Sequence, residues 1–273
     1  MRVQFTLTVA EQKRLIAKGV AARDDVKKAR KQARIIFKGG TTVSAVCEEL
    51  CGQKLRISGR ISPKGTLASS VTELVWHCAL LEKGVLTNLD GMVPETISGL
   101  KKNDIIIVGA NAYDQYGQAA MMFGQPLGGG PGMAFGGMMS QTNRVIVAVS
   151  TEKFIPGSLT EIIKKTGRTQ VYLAMGMAVG LTPICGEIYT EIEAMKTLVP
   201  VEPLLIGKGG IKGAEGASTY VIDGKKQDVL TLFSLITGLK GCQESGVPES
   251  FTDCRPGKKC KMHLACMYKR KQR

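Results

Sequence analysis

Histidine is almost missing from this chain, with His77 and His263 the two in 273 residues. His77, between Trp76 and Cys78, reads as a packed core histidine, and His263 lies near the C-terminus, so no Ser/His/Asp triad can be assembled. No secretory leader opens the sequence: its first residues alternate briefly and then enter a charged helix. Charge is also absent from residues 115–143. That interval is long enough to span a bilayer, but its glycines, prolines and glutamines argue against a lipid-facing helix. No helix-turn-helix and no aromatic RNA-binding motif is visible. These absences point to a cytoplasmic protein that does not enter a membrane.

What is present is an ordinary globular composition, 44% hydrophobic and 22% charged, in a chain long enough for one large domain and a smaller one. The net charge of +14 is uneven: residues 1–40 and residues 254–273 each carry an excess of eight positive charges, and the middle is slightly acidic. Basic ends suit an acidic protein or a nucleic acid, and equally a solvated helix face and a tail.

Two short runs of β-branched residues, 105–108 and 145–149, read as central strands of a parallel sheet buried on both faces. A third short strand, residues 35–37, leads through Gly39, Gly40, Thr41 and Thr42 into a helical pattern over 43–50. A strand, a Gly/Thr turn and a helix start gather unpaired N–H groups and hydroxyls into an anion site, although the same residues also serve as a plain turn and cap. Gly128, Gly129 and Gly130 would let backbone pass close to a ligand. Thr8 with Glu11, and Ser158 with Glu161, have the spacing of helix capping boxes. From residue 171 onward the pattern reads strand, helix, strand, strand, helix, which is a small α+β unit with an antiparallel sheet. Between its middle strands, residues 207–216 carry two lysines, in a loop that either reaches a phosphate or is merely flexible.

Three segments in order resemble the superfamily of ribose-5-phosphate isomerase A, glucosamine-6-phosphate deaminase and the CoA transferases. IIFKGGTTVSAVCEEL (35–50) is similar to its first strand, phosphate loop and helix; DIIIVGANAYD (104–114) resembles its GAD strand end; LGGGPGMAF (127–135) with RVIVAVSTEKFIP (144–156) resembles the isomerases' KGGG loop and final strand. The resemblance implies a mostly parallel α/β domain over 1–157, a small ferredoxin-like α+β domain over 158–240, and a Cys-rich basic tail over 241–273. Asn111 and Asp114 would then hydrogen-bond a polar ligand at the strand ends. Where the isomerases place their ionisable groups, this chain has Val108, Asn111, Leu127 and Gly136, so ribose-phosphate isomerisation is not expected. The expectation is a binding protein, or an enzyme with no assignable catalytic residue, for a small anionic ligand of the phosphosugar, nucleotide or acyl-CoA class. A homo-oligomer is the expected assembly. The alternative is an interaction or nucleic-acid-binding protein that uses its basic ends.

Eight cysteines without a leader argue for thiols or metal ligation over structural disulfides. Cys47, Cys51, Cys78 and Cys185 read as core fillers. Cys242, Cys254, Cys260 and Cys266, with His263 among them, read as the ligands of a zinc ion or an iron–sulfur cluster, though their spacing matches neither the CxxC zinc pattern nor the ferredoxin run. A redox-active thiol tail is the competing reading.

Overall fold

A computed structural model describes residues 1–69, 75–129, 132–254 and 258–269, excepting the side chains of Lys258 and Lys259. The chain opens with strand β1 (Arg2–Leu7), helices α1 (Val9–Ala22) and α2 (Asp24–Gln32), strand β2 (Arg34–Lys38) and helix α3 (Thr41–Cys51). Four antiparallel segments follow, β3 (Gly59–Ser62), β4 (Gly65–Ala68), β5 (Cys78–Glu82) and β6 (Val85–Asn88), then α4 (Val93–Ser98) and β7 (Ile105–Val108). The middle of the chain is β8 (Ala112–Tyr113), β9 (Ala119–Phe123), α5 (Phe135–Gln141), β10 (Val145–Ala148) and α6 (Leu159–Lys164). The last part is β11 (Gly180–Ile184), β12 (Glu187–Tyr189), α7 (Glu191–Leu198), β13 (Val201–Gly209), β14 (Ala217–Gly224) and α8 (Lys226–Gly238).

The fold is mixed α/β around a six-stranded sheet in the order β12-β10-β7-β2-β5-β6. The first four are mutually parallel, and β5 and β6 extend the sheet antiparallel. Strands β2 and β7 are direct neighbours, with Lys38 opposite Val108. Alternate residues of β2, β7 and β10 supply two cores, which explains why residues 35–37, 105–108 and 145–148 are apolar. Ile35, Phe37, Ile105, Ile107 and Ile146 face α1 and α3, and Ile36, Ile106, Val108, Val145 and Val147 face α4 and α5.

A second sheet, β1-β14-β13, is antiparallel. Its Phe5, Leu7, Tyr220 and Ile222 join the first core together with Val229, Leu232 and Ile236 of α8. The smaller sheet therefore draws its edge strand β1 from the start of the chain. The larger sheet takes β12 from beyond residue 158. Helices α1 and α2 are separated at Arg23, whose extended backbone ends α1. Thr8 and Glu11 form their capping box. Ser158 does not cap α6 with its side chain. Residues 171–179 make isolated bridges, Thr66 with Gly176 and Ala174 with Cys266, in place of a strand. Among the described residues no helix is long and apolar enough to cross a membrane.

Candidate functional site

Strands β2 and β7 lie side by side, and their outgoing connections part. After Lys38 the chain turns through Gly39 and Gly40 into α3, on one face of the sheet; after Val108 it runs through Gly109, Ala110 and Asn111 to β8, β9 and α5, on the other. Diverging connections at the carboxyl ends of parallel strands open the crevice in which α/β sheets take ligands. The turn allows only glycine at its first two positions. A Cβ on Gly39 would fall 2.4 Å from the His77 ring, and Gly40 has φ 144°. Gly40 is the N-cap of α3 and has no side chain to accept from it, so the first N–H groups of that helix have no side-chain cap.

The side chain that closes β2 was not singled out in the sequence. Lys38 is 3% exposed and lies on the α5 face of the sheet, among residues that cannot share its charge. Its Nζ is 3.3 Å from the sulfur of Met121 and 5.5 Å from the ring centre of Phe135. Among the described residues no carboxylate pairs with it. Burial pushes its pKa down, and the neighbouring Cys78 opposes that only in part. Cys78 is its cross-strand neighbour on β5; burial pushes that thiol up to about 11. Burial first, and the Lys38 charge second, take His77 down to about 4. Its Nδ1 lies 2.8 Å from the carbonyl oxygen of Arg56, so Nδ1 carries the proton of a neutral ring. The expected reading of His77 as a packed histidine agrees with this geometry.

Phe135 meets Phe123 edge-on, with ring centres 5.5 Å apart. A Cβ on Gly128 would fall 2.7 Å from the Phe123 ring. The Gly-rich stretch therefore lies against the aromatic wall that holds Lys38. Gly129 has φ 72°, and Gly130 lies outside the described residues.

Asn111 and Asp114 sit at the end of β7 but are occupied by the backbone. Asn111 accepts from the Met122 N–H at 2.9 Å. Asp114 is buried and accepts three N–H groups, from Tyr116, Gln118 and Leu159. Burial raises its pKa, and those three donors more than reverse this, holding the carboxyl below its usual range. Leu159 is the first residue of α6, and Gln118 accepts from the next N–H, that of Thr160. The turn at 114–118 thus caps α6 in place of Ser158 and Glu161. Asp114→Ala should cost about 3 kcal/mol, roughly 6 °C in unfolding temperature, because buried donors are left unpaired. Thermal unfolding checks this; a shift below about 1 °C would mean that the turn holds without Asp114.

A second polar group lies beyond the end of β10. The Glu191 carboxylate, fully buried, accepts from the Thr151 hydroxyl at 2.6 Å and the Tyr220 hydroxyl at 2.7 Å, and from the Thr151 N–H at 3.1 Å. Ser218 joins at 2.8 Å from the Thr151 hydroxyl. Burial dominates and raises the Glu191 pKa, although these donors pull against it. Lys208, near the end of β13, donates to the Thr151 carbonyl oxygen and lies 6.0 Å from the Phe154 ring centre. This network is internally satisfied and ties the small sheet to the large one.

The basic N-terminal region is largely neutralised within the fold. Lys13 pairs with Glu152 and Glu244, Arg14 with Glu48, Lys18 with Glu49, Arg23 with Asp25 and Glu187, and Arg34 with Asp104. Much of the basic tail, including Arg255 and residues 270–273, lies outside the described residues.

All eight cysteines are free thiols. Cys47 and Cys78 are buried, Cys51 is half-buried, and Cys185, expected inside, is exposed in the turn between β11 and β12. Among the described residues no three or more His, Cys, Asp or Glu side chains are gathered to hold a metal ion. Cys242, Cys254, Cys260 and Cys266 are thus not arranged as one ligand set. Cys242 lies instead near the carboxylates of Glu11 and Glu244, and burial foremost raises its pKa. No protein-family model, curated protein or solved structure matches the chain.

Proposed function

We infer that this protein is a binding protein or an enzyme for a small molecule that carries an anionic group. The ligand enters the crevice between the carboxyl ends of β2 and β7, bordered by Lys38, by Gly39, Gly40, Thr41 and Thr42, and by Gly128 and Gly129. The observation that carries this reading is Lys38, a lysine buried without a carboxylate among the described residues, at the point where the two connections diverge. An amine so placed costs stability unless a ligand uses it. The first N–H groups of α3 have the polarity an anion requires. The order of the loops, which resembles that of the isomerase and CoA-transferase group, favours a phosphosugar, a nucleotide or an acyl-CoA as the ligand class. In this reading the smaller sheet with α7 and α8 corresponds to that group's small α+β domain.

Thermal unfolding in the presence of inorganic phosphate, phosphosugars, nucleotides and acyl-CoAs tests the reading. A ligand at about a hundred times its Kd should stabilise the folded chain by about 2.7 kcal/mol. If none of these anions raises the unfolding temperature while a nucleic acid does, with steep loss of affinity in salt, the basic ends carry the function instead.

A further inference from the structure

We propose that Lys38 is a nucleophile that forms an imine with the carbonyl carbon of a small aldehyde or ketone bearing a phosphate or carboxylate group. This rests on the proposed ligand site and names the class of ligand for it. Four features of the geometry converge. Lys38 closes a strand at the diverging crevice, the place a ligand can reach in an α/β sheet. Its Nζ contacts the Met121 sulfur and the Phe135 ring, and among the described residues no strong acceptor holds a proton on it. Around it, Cys78 of β5 is a protonated thiol and His77 a neutral ring, Asp90 accepts from the N–H groups of both and pairs with Arg56, and β9 and α5 supply Met121, Phe123 and Phe135. The first N–H groups of α3, which no N-cap side chain takes, follow just past Lys38 for the anionic end of the same molecule.

A lysine desolvated among apolar side chains is the usual setting of an imine-forming amine, since it stays neutral near pH 7. Burial moves Lys38 in that direction. In the step itself the nitrogen lone pair attacks the carbonyl carbon, and the C=O π pair moves to oxygen. A proton passes from nitrogen to that oxygen, and the carbinolamine then loses water to give C=N. One water is released, and no oxidant or reductant takes part. An arginine cannot perform this step, although it can still offer a charge to an anion.

The test uses the full chain with glycolaldehyde phosphate, followed by borohydride to reduce any imine to a stable secondary amine, and peptide mass spectrometry. At neutral pH, modification at Lys38 should exceed that at any other lysine by about tenfold, because exposed ammonium groups are protonated there. Excess inorganic phosphate should suppress it, and glycolaldehyde without phosphate should label Lys38 far less. The Lys38→Arg variant should lose the adduct. Lys38→Met, closer in volume and apolar, tests the loss of the adduct should the arginine variant not fold. Labels spread over exposed lysines, with Lys38 unmodified and phosphate still stabilising, would overturn the imine and leave the anion site standing. Absence of both the adduct and the phosphate shift would overturn the two together.

Discussion

Lys38→Met should unfold at a temperature about 4 °C higher than the unsubstituted protein, a gain of about 2 kcal/mol, and should bind its anionic ligand poorly or not at all. Methionine matches the unbranched stem of lysine and meets Met121 and Phe135 on favourable terms, whereas the buried amine has, among the described residues, no acceptor oxygen or carboxylate in return for its lost hydration. The pH dependence identifies the source of the gain. The folded pKa of Lys38 lies below its ordinary value of 10.5, so in that window the unfolded chain binds the additional proton. Stability of the unsubstituted protein therefore rises with pH through the window, and the advantage of Lys38→Met should shrink as pH climbs from about 8 to about 10. Thermal unfolding of both proteins across that range measures it. A variant less stable at every pH would show that Lys38 is held by a partner and that its burial is structural.

Glu191→Ala should have the opposite sign and a larger size, a loss of about 3 to 5 kcal/mol. The substitution leaves the Thr151 N–H without its acceptor in a fully buried network and removes the group on which the Thr151 and Tyr220 hydroxyls converge. It also opens a void between the two sheets. Glu191→Gln, which keeps an acceptor oxygen, should lose closer to 1 kcal/mol. Here too pH separates the causes. Burial raises the folded pKa above 4.5, so the stability linked to the protonated carboxyl is complete below that value and is lost as pH rises through the folded one. Glutamine cannot ionise, so this variant should draw level with the parent protein as pH is raised from about 4 to about 8. Chemical denaturation at several pH values tests the trend; a gap that widens instead would mean that Glu191 is ionised in the fold.

Strands β2, β7 and β10 were legible because a strand covered on both faces must be apolar at every position, and residues 35–37, 105–108 and 145–149 are. Strand β12 was not. It is three residues long, at the sheet edge, and reads Glu-Ile-Tyr, a pattern that a helix start shares. The pairing of β1 with β14 leaves no local trace at all, since it joins residues more than two hundred positions apart. At the candidate site the glycine turn could be read from composition, because backbone geometry dictates glycine. Lys38 could have been found as well: strand alternation places it on the same face as Ile36, where a charge is out of place. Asp114 misled for a related reason. A carboxylate near a strand end suits a ligand, but in Asp-Gln-Tyr-Gly it more simply accepts the N–H groups of its own turn, and here it does. The cysteine tail raised a metal expectation from residue type alone, and residue type does not fix where four distant thiols come to rest.

Strand β1 bears on how the molecule is made. Leu7 pairs with Ser218, and Arg2 with Asp223. A ribosome adding about 5 to 20 residues per second reaches that partner only about ten to forty seconds after β1 has been synthesised. During that interval Phe5 and Leu7 lack the sheet that will cover them, and the parallel core of β2, β7 and β10 can gather first. The last hairpin then closes over the beginning of the chain, so the slow stage of folding belongs to its two ends and not to its centre.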